Sequence, residues 1–264
     1  KNKIHIDGKN ISSQKQHSLT HTPNELRSRL DKLILFYREG NYQRIINECN
    51  KLDVVNSNNA DIINIVAAAS AKLHRLKDAK ALYSKLTKLK PEFNGGYTNL
   101  GSILEKLSRP SEAIVNFQKA IVLKPEHMSV YCNLGNALVR QDKNKKAMSF
   151  FKKASVLDVI SPIPYNDLGN AMVSIRQNKV AISNYIKAVQ LAPNLAAIYN
   201  NIGSALTKDV QYKDALKFFK IAANVDPTLN HLYANSGNVL EKLGLYQKAI
   251  RNFKKSIILV PSSV

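Results

Sequence analysis

Few side chains in this sequence of 264 residues stand where they could make or break bonds. His5, His17, His21, His74, His127 and His231 fall in no HExxH or Cys/His spacing, and Cys49 and Cys132 lie far apart in no CxxC pair. Neither a zinc set nor a disulfide framework is therefore indicated. Gly95-Gly96 lacks the GxxxxGK pattern that cradles phosphate and reads as a loop. No catalytic residue, metal ligand or cofactor site is expected. What recurs instead is hydrogen-bonding chemistry. Asn99, Asn133, Asp167, Asn201 and Asn235 follow one another at steps of 34 residues. Three residues beyond each come Ser102, Asn136, Asn170, Ser204 and Asn238, and four further on come Lys106, Arg140, Ser174, Lys208 and Lys242. An amide offers two donors and an acceptor, so one asparagine can bond both the N–H and the C=O of an extended chain whatever its side chains.

Steps of three and four place these columns on one face of a helix. Other columns share the period. Gly101, Gly135, Gly169, Gly203 and Gly237 are preceded at four residues by Tyr97, Tyr131, Tyr165, Tyr199 and Tyr233. Twelve residues after each glycine stands Ala113, Ala147, Ala181, Ala215 or Ala249, and four beyond that Phe117, Phe151, Tyr185, Phe219 or Phe253. Pro91, Pro125, Pro193, Pro227 and Pro261 close units in the same register. Small residues belong where paired helices approach closely and aromatic rings fill the space beside them, while proline ends a helix. Tyr199, Ile202 and Leu206 form the apolar stripe of a first helix, and Ala215, Phe219 and Ala222 that of a second.

These columns resemble the tetratricopeptide repeat, whose aromatic, Leu-Gly, Ala and Phe signature is carried within one unit by Tyr131, Leu134, Gly135, Ala147, Phe151 and Ala154. The resemblance implies an all-α right-handed superhelical solenoid of about seven helix-turn-helix repeats, with first helices on the concave side. Five units are regular, at 94–127, 128–161, 162–195, 196–229 and 230–263. Two degenerate ones occupy 26–93, the earlier keeping Gly40, Tyr42 and a stripe through Leu30, Leu33 and Leu35, the later having Ala67 in place of the glycine. Residues 1–25 form a polar, basic leader expected to be flexible. Val159 stands where a closing proline is due and Pro162 and Pro164 follow, so altered helix geometry is expected at that joint.

Within each unit the three polar columns are positions 6, 9 and 13. The asparagine column is similar to that in the superhelical arm of the O-linked N-acetylglucosamine transferases, which implies a peptide-gripping role for Asn99, Asn133, Asn201 and Asn235. Asp167 interrupts the row with acceptors only. Family members that clamp a C-terminal carboxylate carry Lys at position 2, where this chain has Gly95, Ser129, Ile163, Ala197 and His231, so that use is not expected.

The net charge is +20, spread along the whole chain in a lysine-rich composition that biased base usage would also produce. Nucleic acid is disfavoured as the partner, because a phosphate-binding surface would gather this charge into a patch. Convex lysines such as Lys152, Lys153, Lys254 and Lys255 read as a solvated face. With no run of eighteen apolar residues and no secretory signal, no membrane partner and a cytoplasmic location are expected. The expected function is a scaffold binding a protein or extended, acidic peptide in the concave groove. The alternative is the substrate-recognition arm of a larger enzyme, a glycosyltransferase, sulfotransferase or oxygenase, whose catalytic domain lies outside this chain. The last unit has no capping helix within the sequence, which also raises end-to-end self-association.

Overall fold

The computed structural model describes residues 23–50 and 58–259. Fourteen helices occupy the described residues, with no strand among them. They alternate as first and second helices: α1 (Pro23–Arg38) with α2 (Tyr42–Asn50), α3 (Ala60–Lys72) with α4 (Leu76–Leu89), and α5 (Asn94–Lys106) with α6 (Pro110–Leu123). There follow α7 (Met128–Val139) with α8 (Asn144–Leu157), α9 (Ile163–Ser174) with α10 (Asn178–Leu191), α11 (Ala196–Lys208) with α12 (Tyr212–Val225), and α13 (Asn230–Lys242) with α14 (Tyr246–Ile258). The seven pairs form the expected solenoid. Each helix packs on its predecessor and successor. The first helices from α5 to α13 also touch one another in sequence, whereas successive second helices make no comparable contact. First helices therefore line the inside of the curve.

The glycine and aromatic columns meet inside each regular pair. A methyl group added to Gly101, Gly203 or Gly237 would come within 2.6 Å of the ring of Phe117, Phe219 or Phe253, and Gly135 and Gly169 lie closer still to Phe151 and Tyr185. No real Cβ tolerates such a distance, so glycine at these positions is a packing requirement. The rings of Phe117 and Phe151 are fully buried and those of Tyr185 and Phe219 nearly so.

A further column, at the turn between the helices of a pair, escaped the sequence reading. Gly40, His74, Ser108, Asp142, Arg176, Val210 and Gly244 recur every 34 residues and all have positive φ, from 56° at Asp142 to 75° at Gly40. Each ends a first helix in the same way. In the sixth pair the Val210 N–H bonds the Thr207 carbonyl at 3.1 Å and the Gln211 N–H reaches back to Leu206 at 2.9 Å. This is the Schellman arrangement, which satisfies the last carbonyls of a helix through one left-handed residue.

The structure corrects two local expectations and shows the altered joint that a third anticipated. Leu35 is exposed, and Phe36 beside Leu33 carries the buried stripe of α1. Gly95 and Gly96 lie in the first turn of α5 and form no loop. At the joint without a closing proline, α8 still ends in register with the other second helices, and beyond it Asp158 Oδ1 accepts from the N–H groups of Ile160 and Ser161 at 3.3 and 3.1 Å. The altered geometry expected there is found on the far side: α9 starts one residue late, with Pro162 as its N-cap. Of the leader assigned to 1–25, residues 23–25 open α1, and 1–22 lie outside the described residues, as does Pro261.

Val210 is β-branched and exposed, with φ of 62°, a conformation that costs an L-residue about 1–2 kcal/mol. Val210→Gly is expected to raise the melting midpoint by about 2 °C. Glycine at exposed Lys220, inside α12, is expected to lower it. A midpoint unchanged or lowered by Val210→Gly would show that strain at the turn does not exceed the backbone entropy that glycine adds to the unfolded chain.

Candidate functional site: the concave face

The polar columns sit on the first helices, on the inside of the curve, but their members are not equally free. Asn99 and Asn133 are half-buried and make no side-chain hydrogen bond among the described residues. The Asn201 amide donates to Asn166 Oδ1 at 3.0 Å, and that of Asn235 to Asn200 Oδ1 at 3.0 Å and to Ser204 Oγ at 3.4 Å. Each keeps its carbonyl oxygen for another donor. Asn238 is exposed, and Asn170 accepts the Tyr185 hydroxyl on its Oδ1 at 2.7 Å.

Asn166 and Asn200, at position 5, were not singled out from sequence, yet they tie unit to unit. The bonds they receive span 35 residues, one period plus one. Those from Asn136 to Asp167 and from Asn178 to Asp209 span 31, one period minus three. Both steps link neighbouring first helices, or a first helix to the adjoining second one, across parallel units. A search restricted to columns at the period does not find them.

Asp167 is buried, with Asn136 Nδ2 at 3.3 Å from one oxygen and Asn166 Nδ2 at 3.5 Å from the other. Burial pushes its carboxyl up to about 6, against the pull of those two amides. The same carboxylate, with burial as the larger cause, helps push the buried Cys132 thiol up to about 12.

The cationic column is likewise uneven. Lys106, Lys208 and Lys242 are exposed. Arg140 Nε instead pairs at 3.0 Å with Glu105 Oε2 of the preceding unit. Glu105 is largely covered, and its carboxyl is raised by burial and pulled back by Arg140; its other oxygen is buried without a partner. Arg140 is therefore also a bridge between units. Between α9 and α11 a cavity of about 160 Å³ is lined by Asn170, Val173, Tyr185, Asn201, Ser204, Ala205 and Lys208. On the convex side Lys152, Lys153, Lys254 and Lys255 are exposed, with Lys255 Nζ at 4.3 Å from the Tyr233 ring centre. Among the described residues no three His, Cys, Asp or Glu side chains are grouped to hold a metal, and no helix is long and apolar enough to cross a membrane.

The Asp167 environment has a measurable consequence. A carboxyl whose pKa rises on folding destabilises the fold above that pKa, and the penalty fades as pH falls toward the ordinary value of 3.8. Asp167→Asn is expected to stabilise the protein by about 1–3 kcal/mol at pH 7.5 and by almost nothing at pH 4. An equal gain at both pH values, or a loss at pH 7.5, would contradict a buried, ionised Asp167.

The comparisons with known proteins agree with this geometry. The family model for the tetratricopeptide repeat matches residues 95–127, 129–157 and 231–259. No curated protein matches the sequence. Among solved structures, a chain of the Cut9–Hcn1 hetero-tetramer of APC/C aligns over 88% of this chain with 17% identity and a TM-score of 0.70. This chain spans only 46% of that protein's length. PilW, a type IV pilus biogenesis factor, aligns over 73% of this chain and 90% of its own with 19% identity and a TM-score of 0.68. YrrB, described as a TPR protein with an unusual peptide-binding site, aligns over 69% and 93% with 23% identity and a TM-score of 0.50. Matched segments, seven helix pairs in series and shared architecture coincide: this chain carries tetratricopeptide repeats and folds as a tetratricopeptide-repeat solenoid.

Proposed function

We propose that this chain is a binding scaffold that holds an extended segment of another protein along the concave faces of α5 to α13 and performs no chemistry itself. The observation that carries the reading is the row of half-buried amides Asn99, Asn133, Asn201 and Asn235, beside exposed Lys106, Lys208 and Lys242. Amides with spare donors and acceptors suit a peptide backbone, and the lysines favour acidic side chains. The peptide-binding site described for YrrB, a similar fold, supports the same use of this one. A recognition arm of a larger enzyme would use the groove in the same way, so the two readings share their test.

Because Asn201 and Asn235 also link units, replacing them disturbs the scaffold as well as the groove. Asn133→Ala is the cleaner variant, and it is expected to weaken an acidic peptide selected from a random library by about 0.5–1.5 kcal/mol without altering the melting midpoint. Replacing Lys106, Lys208 and Lys242 together by Gln is expected to flatten the salt dependence of binding. Changing Lys152, Lys153, Lys254 and Lys255 is expected to do far less. The opposite pattern would overturn the reading: no peptide selected, a random oligonucleotide bound, and affinity falling with lysines lost from either face.

A further inference from the structure

The third regular unit departs from the others at several columns at once. It has Tyr185 where the other regular units have phenylalanine, Asp167 where they have asparagine, and Ser174 where they have a cation. The cavity between α9 and α11 sits at this unit, and Tyr185 reaches it with a hydroxyl that no phenylalanine supplies. That hydroxyl donates to Asn170 Oδ1 at 2.7 Å, so one lone pair of the Asn170 carbonyl is taken while both of its N–H groups stay open. Asn201 spends one N–H on Asn166 and retains the other. Ser204 accepts from Asn235 and keeps its O–H to donate. Lys208 stands at the rim, and no carboxylate lines the cavity. The nearest acidic side chain along α9, Asp167, is hydrogen-bonded to Asn136 and Asn166, although its charge still acts on the Tyr185 hydroxyl. The walls add Val173, Ala205 and the Tyr185 ring. The lining thus mixes apolar walls with the side chains of Asn170, Asn201, Ser204 and Lys208, around a space of about 160 Å³, open to solvent, that suits a single side chain.

From this geometry we infer that the cavity is a pocket for one carboxylate-bearing side chain of glutamate size, which sets the register of a ligand along the groove. The inference deepens the proposed function and rests on it for its biological use. The pocket can nevertheless be tested alone. Tyr185 serves as a positioning residue: its hydroxyl holds Asn170 Oδ1 and so fixes which way the amide is turned. In Tyr185→Phe the Asn170 carbonyl is released, and the amide can present an acceptor to a carboxylate, which repels it. Phenylalanine fills this column in the other regular units, so the pair should still close around Gly169.

The probe is acetyl-glutamate N-methylamide, titrated into the whole chain at millimolar concentration, with acetyl-glutamine N-methylamide as its neutral match. The readout is the side-chain NH2 resonances of Asn170 and Asn201. The glutamate compound is expected to shift both saturably, and the glutamine compound to bind at least fivefold more weakly. Tyr185→Phe is expected to weaken the glutamate compound about threefold to tenfold, and Lys208→Gln to weaken it less and to remove its salt dependence. Equal binding of the two compounds, shifts that bypass Asn170 and Asn201, or Tyr185→Phe that keeps its melting midpoint and full affinity would each overturn the pocket. A pocket that passes while the peptide library yields no ligand would refute the groove reading alone. A library peptide whose Glu→Gln replacements are all silent would refute the pocket alone.

Discussion

The contact of an aromatic ring with a glycine backbone inside each helix pair is the constraint on which the rest depends. Where Phe117 meets Gly101 or Phe219 meets Gly203, there is no room for a Cβ. The two helices of a pair therefore lie closer than side chains on both would allow. That closeness fixes the tilt of each first helix against its partner, and repetition turns it into a curve whose inner wall is made of first helices. A pair alone would leave an apolar flank uncovered, and stacking is what covers it. The outward face of α14 shows the consequence, with Tyr246, Ile250 and Ile257 exposed where the equivalent residues of the preceding pair are half-buried under a following first helix.

A second, weaker set of interactions holds unit to unit on the concave side. Asn136 with Asp167, Asn166 with Asn201, and Asn200 with Asn235 make a discontinuous polar seam across α7, α9, α11 and α13. Arg140 with Glu105 continues it toward α5. The seam uses part of the hydrogen-bonding capacity of the face that would hold a ligand, so the groove is preorganised where Asn201 and Asn235 are pinned and free where Asn99 and Asn133 are not. Preorganised polar groups lose less freedom on binding than mobile ones.

Much of this was legible in the sequence, and the reasons for the rest are physical. Columns that demand one side-chain type show themselves, as glycine under a ring or tyrosine at position 4 does. The turn column does not, because a left-handed backbone is imposed by the Schellman bonds and any residue bearing the cost can stand there; hence the mixture of His74, Ser108, Asp142, Arg176 and Val210. Only Gly40 and Gly244 would have betrayed it. The seam stayed hidden because its partners are offset from the period by one residue or three, and the pairing of Arg140 with Glu105 stayed hidden for the same reason.

The central functional claim is that an extended chain lies along the first helices, and a crystal structure of the whole chain with a library-selected acidic peptide tests it most directly. The account predicts an extended peptide running along α7 to α13, with backbone groups at about 3 Å from the side-chain amides of Asn133, Asn201 and Asn235. A peptide bound to the second helices on the convex side, or one bound in the groove that leaves those three amides untouched, would contradict it.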